Sequence, residues 1–240
     1  MSLRVFASRG VEACVGARVR LAEDERHYLT RVRRARVGDE VEILDASEHR
    51  WLGRVERLTG GEAVLRIEAE IPAPEIPHIV VGFGLPQSRA ALEAIARCCE
   101  LGVAEILLVR TALSQAAPPN PSRVQRVLRA SQRQCGRATT PHVTCLSFDA
   151  SLHHRVDLAG AIASPQHEAR LGLRDIDPSG HRFFVGPEGG FSAPEIRRAE
   201  AAGFVPRSLG PWTLRTEVAV VAAVSTFFAL VPPRKDSCKP

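Results

Sequence analysis

The strongest constraint on this chain's fold is a series of strongly apolar runs in its C-terminal two thirds: the continuous "HIVVGFGL" (78–85), then "VAEILLVR" (103–110) and "RFFVG" (182–186). Strands that are apolar at consecutive positions are covered on both faces, as in parallel sheets. Helical patterns stand between them. Ser88 is placed to cap a helix reaching Leu101, with Leu92, Ile95, Cys98 and Cys99 inward and Gly102 as its stop. Pro121-Ser122 opens a second helix, whose Val124, Val127, Leu128 and Ser131 share a face. "GAIAS" (160–164) and "FVPRSLG" (204–210) read as further short strands. Ser192 and Glu195 form a capping-box pattern for "PEIRRAEAAG", which Gly203 ends. The last helix, "LRTEVAVVAAVSTFFALV", is apolar nearly all round and is expected to be buried on more than one face. Strands alternating with helices predict an α/β layer fold with a mainly parallel sheet.

The first 70 residues follow a different rule. "ARVRLAED", "EVEILDA", "RWLGRVERLTG" and "EAVLRIEAE" alternate apolar and polar residues, with turns at Gly38-Asp39 and Gly60-Gly61. Period-two runs between turn signals predict a small β-barrel or sandwich. Tyr28, Leu29 and Val32 are expected to form the apolar face of a helix ringed by arginines. "IPAPEIP", with three prolines in seven residues, reads as an extended linker. The expected organisation is a β domain over 1–70, a linker over 71–77 and an α/β domain over 78–240.

Charge narrows the partner. The net charge is +5, yet the only lysines are Lys235 and Lys239, so the body of the chain offers no P-loop or Schiff-base lysine. Between Ile106 and Phe148 there are six arginines and no acid. Arg126, Arg129, Arg133 and Arg137 recur at three- and four-residue steps, which predicts a basic helical stripe. With Arg31, Arg33 and Arg34 it makes a candidate surface for nucleic-acid phosphates. None of the six cysteines forms a CxxC pair. His153, His154 and His167 read as isolated, so no metal site is expected. No run approaches the roughly 18 apolar residues of a membrane span. Met1 to Phe6 lack a signal peptide's apolar core, so the expected location is the cytoplasm.

Two strand-to-helix loops carry the chemistry. The first is Gly186-Pro187-Glu188-Gly189-Gly190 and the second runs from Leu209 to Glu217, "LGPWTLRTE". Ligands of open α/β sheets bind at the carboxyl ends of strands, so two adjacent exits are able to close one pocket. Glycines admit close backbone approach. Pro187 removes a donor and Glu188 places a carboxylate where a phosphate cradle wants N–H groups alone. GxGxxG and GxxxxGK[ST] are both absent.

Taken together, "VGPEGGFSAPEI" and "SLGPWTLRTEVAVVAAVSTF" resemble the C-terminal signature of SPOUT-superfamily RNA methyltransferases, and most closely the ribosomal small-subunit methyltransferase E family, which methylates uracil N3 in 16S rRNA. "HYLTRVRRARVGDEVEILD" resembles that family's PUA-like barrel. "ELGVAEILLVR" and "ASQRQCGRATTPHV" resemble further segments of it. The resemblance implies a deep trefoil knot, a homodimer, S-adenosylmethionine as cofactor and the 16S rRNA of the small subunit as partner. By position it assigns Gly186, Glu188, Gly189, Gly190, Leu209, Gly210, Leu214 and Arg215 to the cofactor loops, with Ile162, Ala163 and Ser164 on the adenine side. Arg215 and Glu217 fall near the transferred methyl group. Arg133, Trp212 and Val218 depart from the family pattern. The alternatives are an RNA-binding assembly factor without catalysis, and a methyltransferase of another RNA nucleotide.

Overall fold

The computed structural model describes residues 3–8, 13–59 and 61–231. Lys235, Cys238, Lys239 and the rest of the 232–240 tail lie outside the described residues, as does Gly60 of the second expected turn. The chain forms two compact units: Met1–Pro74 with Gln132–Thr140, and Glu75–Ser131 with Pro141–Pro240.

The first unit is built on five strands: β1 (Arg4–Phe6), β2 (Arg18–Arg20), β3 (Glu40–Leu44), β4 (Arg50–Arg57) and β5 (Val64–Ile71). Their order is β1-β3-β4-β5-β2, with β1 parallel to β3 and the other pairs antiparallel. The period-two pattern does what it predicts. Trp51 and Val55 of β4 face a core with Val5, Val19, Val41, Ile43, Leu65 and Ile67. Outward residues pair across strands, Arg54 with Glu68 at 2.8 Å and Arg18 with Glu56 at 2.7 Å.

Between β2 and β3, helix α1 (Glu23–His27) runs into a π-helical turn, Tyr28–Val32. Leu29 is buried and Tyr28 half-buried, but Val32 is 60% exposed. The wider turn carries a residue three positions along away from the face an α-turn would give it, so Val32 does not join the expected apolar face. Glu25 is 2% exposed. Its carboxylate accepts from Phe6 N at 3.1 Å and from the Arg133 guanidinium. Arg133 also lies 4.1 Å from the Tyr28 ring centre. A buried carboxylate needs such a charged partner.

In the second unit, six strands all pair in parallel: β6 (His78–Gly84), β7 (Glu105–Arg110), β8 (His142–Ser147), β9 (Ala159–Ala163), β10 (Gly180–Val185) and β11 (Phe204–Arg207). The order is β11-β9-β10-β6-β7-β8. The chain therefore lays β6 to β8 outward in one direction and inserts β10 between β6 and β9. A Cβ at Gly82 of β6 would stand 2.7 Å from the Phe184 ring, so glycine is what lets β10 sit this close. Helices α2 (Ser88–Glu100), α3 (Pro121–Cys135), α4 (Phe148–Leu152), α5 (Ala193–Ala201) and α6 (Thr216–Leu230) complete the unit, apart from the last residues of α3, which belong to the first.

Gln87, not Ser88, stands at the cap position of α2; Ser88 is the first helical residue. Ile95, Cys98 and Cys99 point inward as expected, and Gly102 ends the helix with φ +79°. Helix α6 packs on α2, β6 and β10 through Ala219, Val220, Ala223, Val224 and Phe227. Among the described residues nothing covers all of its other apolar side: Val218 is 46% and Phe228 36% exposed. None of the described helices is long and apolar enough to cross a membrane.

Two polar clusters lock the far end of this sheet. Glu105 accepts from His78, His154 and Arg155 at 2.7, 2.6 and 3.0 Å, so His154 is not isolated. Burial alone would raise the Glu105 carboxyl. The hydrogen bonds from His154, His78 and Arg155 outweigh it and hold the group at about 2. The Arg182 guanidinium is buried and donates to the Leu152, His154 and Leu158 carbonyls.

His181 of β10 is fully buried against Phe183 and Phe227, and neither ring nitrogen has a hydrogen-bond partner among the described residues. Burial holds its imidazole down at about 4 instead of 6.5. The neutral form is therefore favoured on folding. Its stability contribution is complete above the unfolded value of 6.5 and is lost as the pH falls toward 4. By pH 4 the loss amounts to about 3 kcal/mol. His181→Phe should remove this part of the acid sensitivity, read as a flatter Tm against pH between 6.5 and 4. An unchanged slope would show that the ring is hydrated or partnered in solution.

Candidate functional site

Three parallel strands end at one place. The exits of β9, β10 and β11 wall an open cleft lined by Ala163, Ser164 and Pro165, by Val185 to Glu188 with Gly190, and by Leu209, Gly210 and Trp212 to Leu214, with Ala219 of α6 behind. The sheet order makes the convergence possible, because β10 and β9 are neighbours and β11 lies beside β9.

Local chemistry holds each loop. Gly190 N donates to Pro187 O at 2.8 Å, which folds the first loop back on itself, with Gly190 at φ +72°. A Cβ on Gly186 would stand 2.8 Å from Gly190 Cα, so no larger residue fits the return. Pro187 is buried and packs against Gly84. The helix after this loop starts where its capping pattern predicts: Glu195 accepts from Ser192 N and Oγ, both at 2.8 Å, and also from Ala112 N at 2.8 Å. The second loop is tied to the first by Thr216 Oγ1, which donates to Gly186 O at 3.0 Å. Ser208 Oγ braces its entry by donating to Gly210 O at 2.8 Å.

Among the described residues, Glu188 is the only charged one in the lining. Its carboxylate accepts from Gln87 N at 3.3 Å, at the start of α2, so it ties the loop to that helix while staying exposed. A site with one carboxylate, no cation, open glycine backbone and apolar walls is poorly matched to a phosphate. It is well matched to a flat ligand with polar edges and a positive charge.

Of the residues singled out from sequence, Ala163, Ser164, Gly186, Glu188, Gly190, Leu209, Gly210 and Leu214 line this cleft. Ile162 does not; it lines a smaller apolar cavity next to it, with Phe183 and Leu209. Gly189 is exposed and faces Leu113. Arg215 and Glu217 lie outside the lining, but alternate along the chain with Leu214, which lines the cleft, and Thr216, which binds Gly186 O. Arg215 is exposed at the cap position of α6 and Glu217 is half-buried. Neither side chain bonds to another described residue.

Pro165, Val185, Pro187, Trp212, Thr213 and Ala219 also line the cleft and were not assigned from sequence. Pro187, Trp212 and Thr213 sit inside the motifs themselves, so loop membership was their only signal.

The expected arginine stripe divides. Arg126 and Arg129 are exposed on α3. Arg133 turns onto Glu25, and Arg137 lies beyond the helix with Nε donating to Thr139 Oγ1 at 2.7 Å. In the first unit Arg31 and Arg34 are exposed and Arg33 is half-buried. No three His, Cys, Asp or Glu side chains among the described residues are placed to hold a metal ion.

Comparison with known proteins agrees with this architecture. A relative from Synechocystis sp. named "Ribosomal RNA small subunit methyltransferase E" is 29% identical over 231 residues, covering 92% of this chain and 76% of its own. One of the same name from Buchnera aphidicola subsp. Schizaphis graminum is 23% identical, covering 86% and 88%. The crystal structure of a ribosomal RNA small subunit methyltransferase E from Neisseria gonorrhoeae bound to S-adenosyl methionine superposes with a TM-score of 0.84. It is 25% identical and covers 96% of this chain and 98% of that one. The RNA methyltransferase PUA domain family matches residues 21–68. The RNA methyltransferase domain family matches residues 74–227, the stretch that contains every wall of the cleft, and the chain belongs to that family.

Proposed function

We propose that this chain transfers a methyl group from S-adenosylmethionine to N3 of a uridine in the 16S rRNA of the small ribosomal subunit. The observation that carries this reading is the cleft at three strand exits, whose only charged lining residue among those described is Glu188. When bound, the cofactor supplies an electrophilic methyl group on a sulfonium. The glycine backbone of 186 and 190, Leu209 and Leu214 would hold its flat and apolar parts, with Ala163 and Ser164 on the adenine side and Ile162 behind them. Glu188 offers a compensating charge and keeps the loop on α2. Gly189 and Gly210 give the loops their shape.

Uracil N3–H is weakly acidic and must lose its proton before the nitrogen can attack. Arg215, free of ion pairs at the edge of the cleft, is positioned to stabilise negative charge on the uracil oxygens. Glu217 is the candidate to accept the proton or to orient Arg215. The exposed Arg31, Arg34, Arg126 and Arg129, with Arg33, offer contacts to RNA phosphates. Arg133 and Arg137 contribute to holding the 132–140 segment. The insertion of β10 between β6 and β9 fits a trefoil-knotted chain. The exposed Val218 and Phe228 of α6 fit a homodimer contact. Action on ribosomal RNA implies the cytoplasm.

Methylation mapping tests the reading. Small-subunit RNA from a strain lacking this protein should miss one N3-methyluridine by mass spectrometry and regain it on incubation with protein and S-adenosylmethionine. An RNA with no missing mark would overturn it, and a missing mark on another nucleotide would revise the target. Calorimetry separates the assembly-factor alternative, which predicts RNA binding without cofactor heat.

A further inference from the structure

Trp212 is the most exposed large hydrophobic residue among those described, at 78%. An indole left in water forgoes the favourable burial of a large apolar surface. It makes no ring stacking or cation–π contact with any described residue. Yet its backbone is held on both sides. Ser208 Oγ donates to Gly210 O before it, and Leu209 and Leu214 pack on the core to either side. Thr216 then ties the following turn to Gly186. The tryptophan is therefore presented to solvent from an anchored loop, and it forms part of the cleft wall.

We propose that Trp212 is the stacking platform for the unpaired RNA base that is methylated. An unpaired base offers an exposed π-face, and such faces stack on aromatic side chains. Face-on stacking fixes the plane of the ring and leaves its edge, where N3 lies, free to turn toward the cleft. The exposed Arg215 follows three residues on in the same loop and offers a charge complement. This inference rests on the proposed reading of the cleft as the cofactor site.

The chain has two tryptophans, and the other, Trp51, is buried in the first unit at 7% exposure. Trp212 emission can therefore report stacking directly. The full-length protein with saturating S-adenosylhomocysteine is titrated with a short RNA carrying the target uridine unpaired, and with the same RNA abasic at that nucleotide. The uridine RNA should quench the exposed emission, and the abasic RNA should bind with little quenching. Trp212→Ala and Trp212→Leu should raise KM for RNA by about 10- to 100-fold, and Trp212→Phe should recover most of the loss. Because Trp212 also lines the cleft, KM for RNA is compared at saturating cofactor for each variant, so that any loss of cofactor affinity is separated from the loss of stacking.

Saturating uridine RNA that leaves the emission unchanged, equal quenching by the abasic RNA, or Trp212→Leu matching Trp212→Phe would each overturn the proposal. So would a blue shift that depends on protein concentration without RNA, since a second copy would then cover the indole. Failure of the cofactor reading looks different: the wild-type protein gives no calorimetric heat with S-adenosylmethionine, whatever Trp212 does.

Discussion

Arg215→Ala is expected to slow methylation of bound RNA by about 100-fold or more in a single-turnover assay. On the proposed reading, charge develops on the uracil oxygens as N3 loses its proton, and the Arg215 guanidinium, with no ion pair among the described residues, would meet it. Arg215 caps α6 without bonding to another described side chain, so its removal leaves no buried partner stranded. Folding and cofactor affinity should therefore hold, with Tm within a few degrees and cofactor Kd within about twofold. The dependence on pH should change as well. Without the cation, more hydroxide is needed to produce the uracil anion, so the variant's rate should climb further into alkaline pH than the wild type's. Arg215→Lys should recover part of the rate, because it keeps the charge and loses the planar fork. A wild-type single-turnover rate in Arg215→Ala would remove this residue from the chemistry.

Gly186→Ala should weaken cofactor binding by about 100-fold, since a loop displacement approaching 1 Å is enough for an effect of that order. The added methyl would stand 2.8 Å from both Cα and the carbonyl carbon of Gly190. Those are backbone atoms, held by the Gly190 N to Pro187 O bond, and cannot rotate aside. The loop must open, and the Thr216 link to Gly186 O opens with it. Gly190→Ala makes an informative contrast. Nothing lies within 4 Å of its added Cβ, and its burden is the φ of +72°. That strain is about 1 kcal/mol and is borne by the backbone without a clash. Calorimetry with S-adenosylmethionine should rank wild type, Gly190→Ala and Gly186→Ala in falling affinity, with far-ultraviolet circular dichroism unchanged. Equal affinity of Gly186→Ala and wild type would show that the cofactor does not use this loop.

Much of the fold was legible because the signals were local. Continuous apolar runs located β6, β7 and β10, and alternation located β3 to β5, since both follow from which faces a strand must cover. The capping pair Ser192 and Glu195 marked the start of α5 within a residue. The glycines at 102 and 203 marked helix ends through their positive φ. Ser88 was misread as a cap because Gln87, with no capping side chain, occupies that place. Val32 was misread because nothing in a short sequence window distinguishes a π-helical turn from an α-turn.

The cleft was legible in part for the same reason. Its glycine loops had to leave strands and enter helices, so both could be picked out one at a time. Their meeting was expected only from the rule for strand ends and from the family resemblance; the pairing that brings it about has no local signal. It depends on β10 lying between β6 and β9, a pairing between segments about a hundred residues apart, as His78 opposite Gly180 illustrates. Arg133 shows the same limit in a single side chain. Helical spacing put it in a row with Arg126 and Arg129, and a buried carboxylate 108 residues away took it out.

By itself, then, the sequence determined the elements, the change from period-two to continuous apolar strands near residue 71, and the loops that carry the chemistry. Each of these rests on interactions within a few residues along the chain. The tertiary structure alone decided strand order, which loop residues face one another, which arginines stay exposed and how far Trp212 stands in solvent. Those outcomes are fixed by burial and charge pairing between distant segments, and no local pattern encodes which distant partner will be found.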